Sequence, residues 1–119
     1  MIFRHATKFA LVGAIAFTGA LIQAPVAAQS VAVTSIVEHP ALDSVKDGVL
    51  EALNAAGHTE DKGLKWQFQT AQGNTAIAAQ IARKFVGDNP DVILFIATPS
   101  AQAVVAATST IPVVFSAVT

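Results

Sequence analysis

Cysteine and tyrosine are absent, tryptophan and methionine occur once each, and charged residues make up only 13% of the chain. Without cysteine there is no disulfide, no thiolate metal site and no thiol to carry a lipid anchor. The few lysines and arginines do not cluster, so the chain lacks the basic footprint that DNA, RNA or an anionic lipid surface requires, and no nucleic acid partner is expected. His5, His39 and His58 are too scattered for a metal site. A Gly-rich dinucleotide fingerprint, a phosphate loop and a nucleophile elbow are all missing. A phosphoacceptor domain needs Asp at the end of its third strand, where this chain has Ala97-Thr98. Glu38 and His39 have no activated nucleophile beside them. These absences argue against an enzyme, and no cofactor is expected.

What is abundant is apolar, at 53% of residues. Part of that belongs to the amino terminus, where Arg4, His5 and Lys8 precede the uncharged run from Phe9 to Ile22 and the small-residue stretch Ala24-Pro25-Val26-Ala27-Ala28. This is the three-part layout of a cleavable secretion signal. The run is shorter than the ~20 residues a membrane-spanning helix needs. The reading is a signal peptide over residues 1–28, cut after Ala28, with delivery to the periplasm and no membrane insertion after cleavage. Removing two cations and no acid takes the net charge from −1 to −3.

The remaining chain alternates between two hydrophobic periods. Val31 to Val37 is β-branched and nearly continuous, as in a strand buried on both faces. Leu42, Val45, Val49, Leu53 and Ala56 then recur at helical spacing up to Gly57. Leu64 to Gln69 alternates strictly, which predicts a half-exposed edge strand with Leu64, Trp66 and Phe68 on one face. Gln72-Gly73-Asn74 makes a turn, and Asn74 caps a second helix with an apolar row of Ile77, Ile81 and Phe85 flanked by Ala78 and Ala82, ended by Asn89-Pro90. A strand over Val92 to Ala97, a short helix over Ser100 to Ala107 and a strand over Pro112 to Phe115 complete a βαβαβαβ order. That order specifies an α/β fold, a doubly wound parallel sheet with strand order 2-1-3-4. Four strands with three helices leave one face thinly covered, so the chain is expected to be cut short and, in isolation, marginal or prone to aggregate.

Two junctions share a design: Val37-Glu38-His39-Pro40-Ala41 follows the first strand and Ala97-Thr98-Pro99-Ser100-Ala101 follows the third. Proline suits a first helical turn, with Thr98 a good cap and His39 a weaker one. In the order 2-1-3-4 the first and third strands are neighbours whose crossovers leave in opposite directions, opening a crevice at their carboxyl ends. Two helix amino termini there suit a carboxylate or phosphate. Thr98 and Ser100 add hydroxyls, and Glu38 offers a seat for an ammonium group. The ordinary alternatives are that Thr98 only caps its helix, His39 is a turn residue, Glu38 is solvated, and Trp66 and Phe68 are core.

Four segments in order carry a family likeness: Ile36-Val37-Glu38-His39-Pro40-Ala41-Leu42-Asp43, Ala71-Gln72-Gly73-Asn74, Ile96-Ala97-Thr98-Pro99-Ser100-Ala101-Gln102 and Ile111-Pro112-Val113-Val114-Phe115. Together they resemble the ABC transporter substrate-binding proteins of the tryptophan- and tyrosine-binding type, over about Val31 to Thr119. The resemblance implies a type I periplasmic-binding-protein fold, in which two doubly wound lobes close on a ligand, with residues 29–119 an incomplete amino-terminal lobe. It places Glu38, His39 and Pro40, with Thr98, Pro99 and Ser100, at the ligand, and it alone adds Ala117 and Thr119. It further implies a small-molecule ligand, a hydrophobic or aromatic amino acid or similar small carboxylate. The expected partner is an ABC permease in the inner membrane, and the full-length protein is expected to be a monomer. A secreted sensory domain that passes a ligand signal to a receptor is the alternative, since the same fold serves both uses.

Overall fold

A computed structural model describes residues 29–119; the expected signal segment lies outside them. Among the described residues the order is β1 (Ser30–Ser35), α1 (Pro40–Ala55), a 3₁₀ turn (Glu60–Lys62), β2 (Lys65–Thr70), α2 (Thr75–Asp88), β3 (Val92–Ile96), α3 (Thr98–Ala107) and β4 (Val113–Ser116). All pairings are parallel and the sheet order is β2-β1-β3-β4, the order expected from the sequence.

The continuous β-branched run of β1 occupies an interior position, between β2 and β3, and every residue from Val31 to Ser35 is buried. Side chains alternate across it. Val31 and Val33, with Leu94 and Ile96 of β3, face α1, which packs Leu42, Val45, Val49, Leu50 and Leu53 against them. Ala32, with Ile93 and Phe95, faces a cluster with Ala78, Ile81, Ala82 and Phe85 of α2 and Ala101 and Val104 of α3. One helix on one face and two on the other follow from right-handed crossovers that leave β1 and β3 in opposite directions. Leu64, Trp66 and Phe68 lie together on the α1 side as their alternation predicted, and the Lys46 ammonium stands 4.5 Å from the Phe68 ring centroid.

Local signals end the helices where expected. After α1 the Gly57 N–H bonds to the Asn54 carbonyl and the His58 N–H to the Leu53 carbonyl, with Gly57 at φ 93°, the paired bonds of a Schellman stop. Asn74 Oδ1 accepts from the N–H groups of Ala76 (2.9 Å) and Ile77 (3.2 Å) at the start of α2, and Asn89 closes it at φ 49°.

The structure corrects two details. Ile77 is exposed, while Ile81 and Phe85 are buried together with the flanking Ala78 and Ala82, which pack in one cluster with Ala101 and Val104 of α3. Thr98 is not a helix cap: α3 begins two residues before Ser100, Ala97 takes the cap position, and no side chain bonds the first turn. The Thr98 hydroxyl is engaged elsewhere. Cover on the α1 side is thin, since α1 buries no residue fully, and an apolar groove of about 180 Å³ lined by Val31, Val49, Leu53, Val92, Leu94 and Val114 remains beside β4.

Candidate functional site

Ser35 of β1 is in register with Thr70 of β2 and with Ile96 of β3, and Ile96 with Ser116 of β4. All four strands therefore end level, and the segments leaving them gather on one edge: residues 36–39, 71–74, 97–100 and 117–119. The Gly73 N–H donates to the Ile36 carbonyl at 2.7 Å, fastening the loop after β2 to the loop after β1. A side chain at Gly73 would meet Val37 at 3.7 Å, and φ there is 79°. The Ala97 N–H donates to the Ser116 carbonyl at 3.1 Å, fastening the loop after β3 to the last residue of β4.

The structure brings the residues singled out in the sequence to this edge. Glu38, His39 and Pro40 are exposed, and His39 Nδ1 accepts the Ala41 N–H at 3.2 Å, so the residue read as the weaker cap is the one that caps. Pro99, Ala117 and Thr119 are exposed and Thr98 half-buried. Ser100 is sealed in, 1% exposed as a whole residue, with its Oγ lacking a hydrogen-bond partner. Glu38 is the only carboxylate, and no lysine or arginine lies in these four segments. What these segments offer an anionic group is the helix dipoles of α1 and α3 and the uncapped first-turn N–H groups of α3, without a counterion.

In the sequence the loop after β2 supplies a turn, a helix cap and one of the four family-like segments, but no site residue. Gln72 at φ 53° and Gly73 at φ 79° bend it over the same edge. The available signal was that Ala71-Gln72-Gly73-Asn74 is a third strand-to-helix junction in a parallel sheet, so it had to lie beside the other two.

A larger concavity, about 580 Å³, lies at the opposite end, lined among others by Ser30, Glu60, Lys65, Trp66 and Asp88. It sits at the amino ends of the strands, where α2 presents its carboxyl terminus, the less suitable end for a ligand in an open α/β sheet. Among the described residues no group of three or more His, Asp or Glu is placed to hold a metal, and no helix is long and apolar enough to cross a membrane.

Residues 30–119 match the family model of the ABC transporter substrate binding protein. The chain belongs to that family. Among curated relatives of the family, a tyrosine-binding protein of Clostridioides difficile (strain R20291) is 42% identical over 91 residues, covering 76% of this chain and 26% of the relative. A solved conserved domain protein from Vibrio cholerae is 60% identical with a TM-score of 0.75, over 76% of this chain and 31% of that one. An open, ligand-free substrate binding protein with adhesive properties from Clostridium difficile is 40% identical (TM-score 0.73; 76% and 30% covered). An ABC domain in complex with L-Trp from Streptococcus pneumonia is 31% identical (TM-score 0.73; 76% and 30% covered). The chain thus spans about a quarter of the curated relative and under a third of the solved structures, whose sheet order it shares.

Proposed function

We propose that the chain contributes one wall of a binding site for an aromatic or hydrophobic amino acid, as part of the solute-binding component of an ABC importer outside the inner membrane. One observation carries this reading. The starts of α1 and α3 share the edge where β1 and β3 end, with Pro40 and Pro99 in their first turns, so orphan N–H groups and positive dipole ends converge where a carboxylate can sit. Glu38, on the same edge, suits the ammonium group of the same solute. A tyrosine-binding relative and an L-Trp complex among the neighbours support an aromatic side chain as the third element. In this reading residues 29–119 are the greater part of an amino-terminal lobe, a second lobe closes over the solute, and an inner-membrane permease receives it. Residues 1–28 direct export and are removed.

Isothermal titration of the full-length gene product with the twenty amino acids tests the proposal. L-tyrosine or L-tryptophan binds with exchangeable heat, and competition between them is complete. Absence of binding by every member of the panel overturns the amino-acid assignment.

A further inference from the structure

Removal of residues 1–28, part of the export reading above, makes Gln29 the first residue of the mature chain. β1 begins one residue later, at Ser30, and the chain is fastened from its first carbonyl onward. The Gln29 carbonyl accepts the Lys65 N–H at 2.8 Å. The Ser30 N–H donates to Asp91 Oδ2 at 2.7 Å and the Ser30 hydroxyl donates to the same oxygen at 3.2 Å. The Asp91 N–H donates back to the Ser30 hydroxyl at 2.8 Å and to the Ser30 carbonyl at 3.0 Å. An exopeptidase must draw the peptide bond it cuts into its own site, and both sides of the Gln29–Ser30 bond, carbonyl and N–H, are tied to the sheet and its flank. The mature chain therefore keeps Gln29 at its start.

The groups of Gln29 that these bonds leave unused are its α-nitrogen and its side-chain amide. That amide takes part in no side-chain hydrogen bond among the described residues. A chain-end amine titrates near neutrality, so a share of it is unprotonated and nucleophilic. It shares one residue with the carbonyl carbon it can attack, which spares the entropy of bringing two partners together. The pyrrolidone ring that results lies wholly on the amino side of the Gln29 carbonyl and leaves its bond to Lys65 in place.

We infer that the mature chain starts with pyroglutamate formed from Gln29. The α-nitrogen bonds to Cδ, the Cδ–Nε2 bond breaks, and the amide nitrogen leaves as ammonia with a proton taken from the amine; nothing is oxidised or reduced. The closed end carries no ammonium charge and offers no amine to an aminopeptidase. The inference rests on export and cleavage as proposed above, and not on the identity of the solute.

The full-length gene product, exported under its own residues 1–28 and purified from the periplasm, tests it by intact mass, fragment spectra and stepwise amino-terminal sequencing. The expected mass is one ammonia below that of a chain starting at Gln29, with the loss placed on the first residue. Sequencing is blocked, and reads from Ser30 onward once pyroglutamyl peptidase has acted on the unfolded protein. Gln29→Asn, whose side chain is one carbon too short for a comparable ring, keeps its ammonia and stays open to sequencing. A start at Gln29 with full mass and a free amine overturns the inference and leaves the export reading standing. A start at any other residue, or retention of residues 1–28, overturns the cleavage reading and the inference with it.

Discussion

Ala97 and Ala117 follow a register pair of neighbouring strands, Ile96 and Ser116, and both turn through positive φ, 73° and 53°. Each strand thereby makes a left-handed exit at the carboxyl edge of the sheet, and the two exits are joined by the Thr98–Thr119 bonds. Ala97, at φ 73° and ψ 154°, occupies a region that is almost reserved for glycine. Its strain is sustained by the bond from its N–H to Ser116 on one side and by the start of α3 on the other.

Ala97→Gly should therefore stabilise the protein. Relief of a strained backbone at about 1–3 kcal/mol exceeds the extra entropy a glycine loses on folding, about 0.5–1 kcal/mol. In the full-length protein a net gain near 1 kcal/mol raises Tm by at most about 2–4 °C. Thermal unfolding followed by circular dichroism checks it; an unchanged or lower Tm would mean that Ala97 is not strained.

The carboxyl end of α2 carries a pH-sensitive contact. Lys84 Nζ lies 2.8 Å from Asp88 Oδ2, and Gln67 of β2 reaches the same oxygen at 3.5 Å. The hydrogen bond from Lys84, with smaller help from Gln67, holds the Asp88 carboxyl below its ordinary value of 3.8. A carboxylate with a depressed folded-state pKa contributes stability that is present above the unfolded value and lost as pH falls through the folded one. Lys84→Met should thus lower the urea midpoint slightly near neutrality and leave it less sensitive to acidification below about pH 4. Equal acid sensitivity in the variant and the parent would show that the pair contributes nothing, as many exposed ion pairs do.

The β4 edge is the exposed flank of the sheet. Val114 and Phe115 are 53% and 66% exposed, β4 pairs only with β3 among the described residues, and no charged side chain occurs from Val92 to Thr119. An uncharged edge strand without a gatekeeping lysine templates association. Static light scattering of residues 29–119 should show self-association that rises with concentration, and Val114→Lys should suppress it without altering helix content. A monomeric, cooperatively melting parent fragment would contradict this.

Much of the fold was legible residue by residue. The nearly continuous β-branched run of Val31 to Val37 marked an interior strand, the strict alternation of Leu64 to Phe68 an edge strand, and Gly57, Asn74 and Asn89 the helix boundaries. These are consequences of local periodicity and backbone preference, which act over a few residues and leave their mark in composition. The proline-started junctions after β1 and β3 also announced that both helix starts share one end of the sheet, because parallel strands send every strand-to-helix loop to the same edge.

The part of the site that depends on meeting across the chain was not legible. Thr98 reads as a cap, since a threonine before Pro99 ordinarily is one, yet its hydroxyl is taken by Thr119. Ser100 reads as a ligand hydroxyl, yet it is turned into the interior. The amino-acid sequence by itself determined the strands, the helices, their order and the edge they point to, through interactions between near neighbours. Only the tertiary structure decided that the Thr98 hydroxyl faces another loop and that the Ser100 hydroxyl is buried, because that depends on the level at which four strands end beside one another.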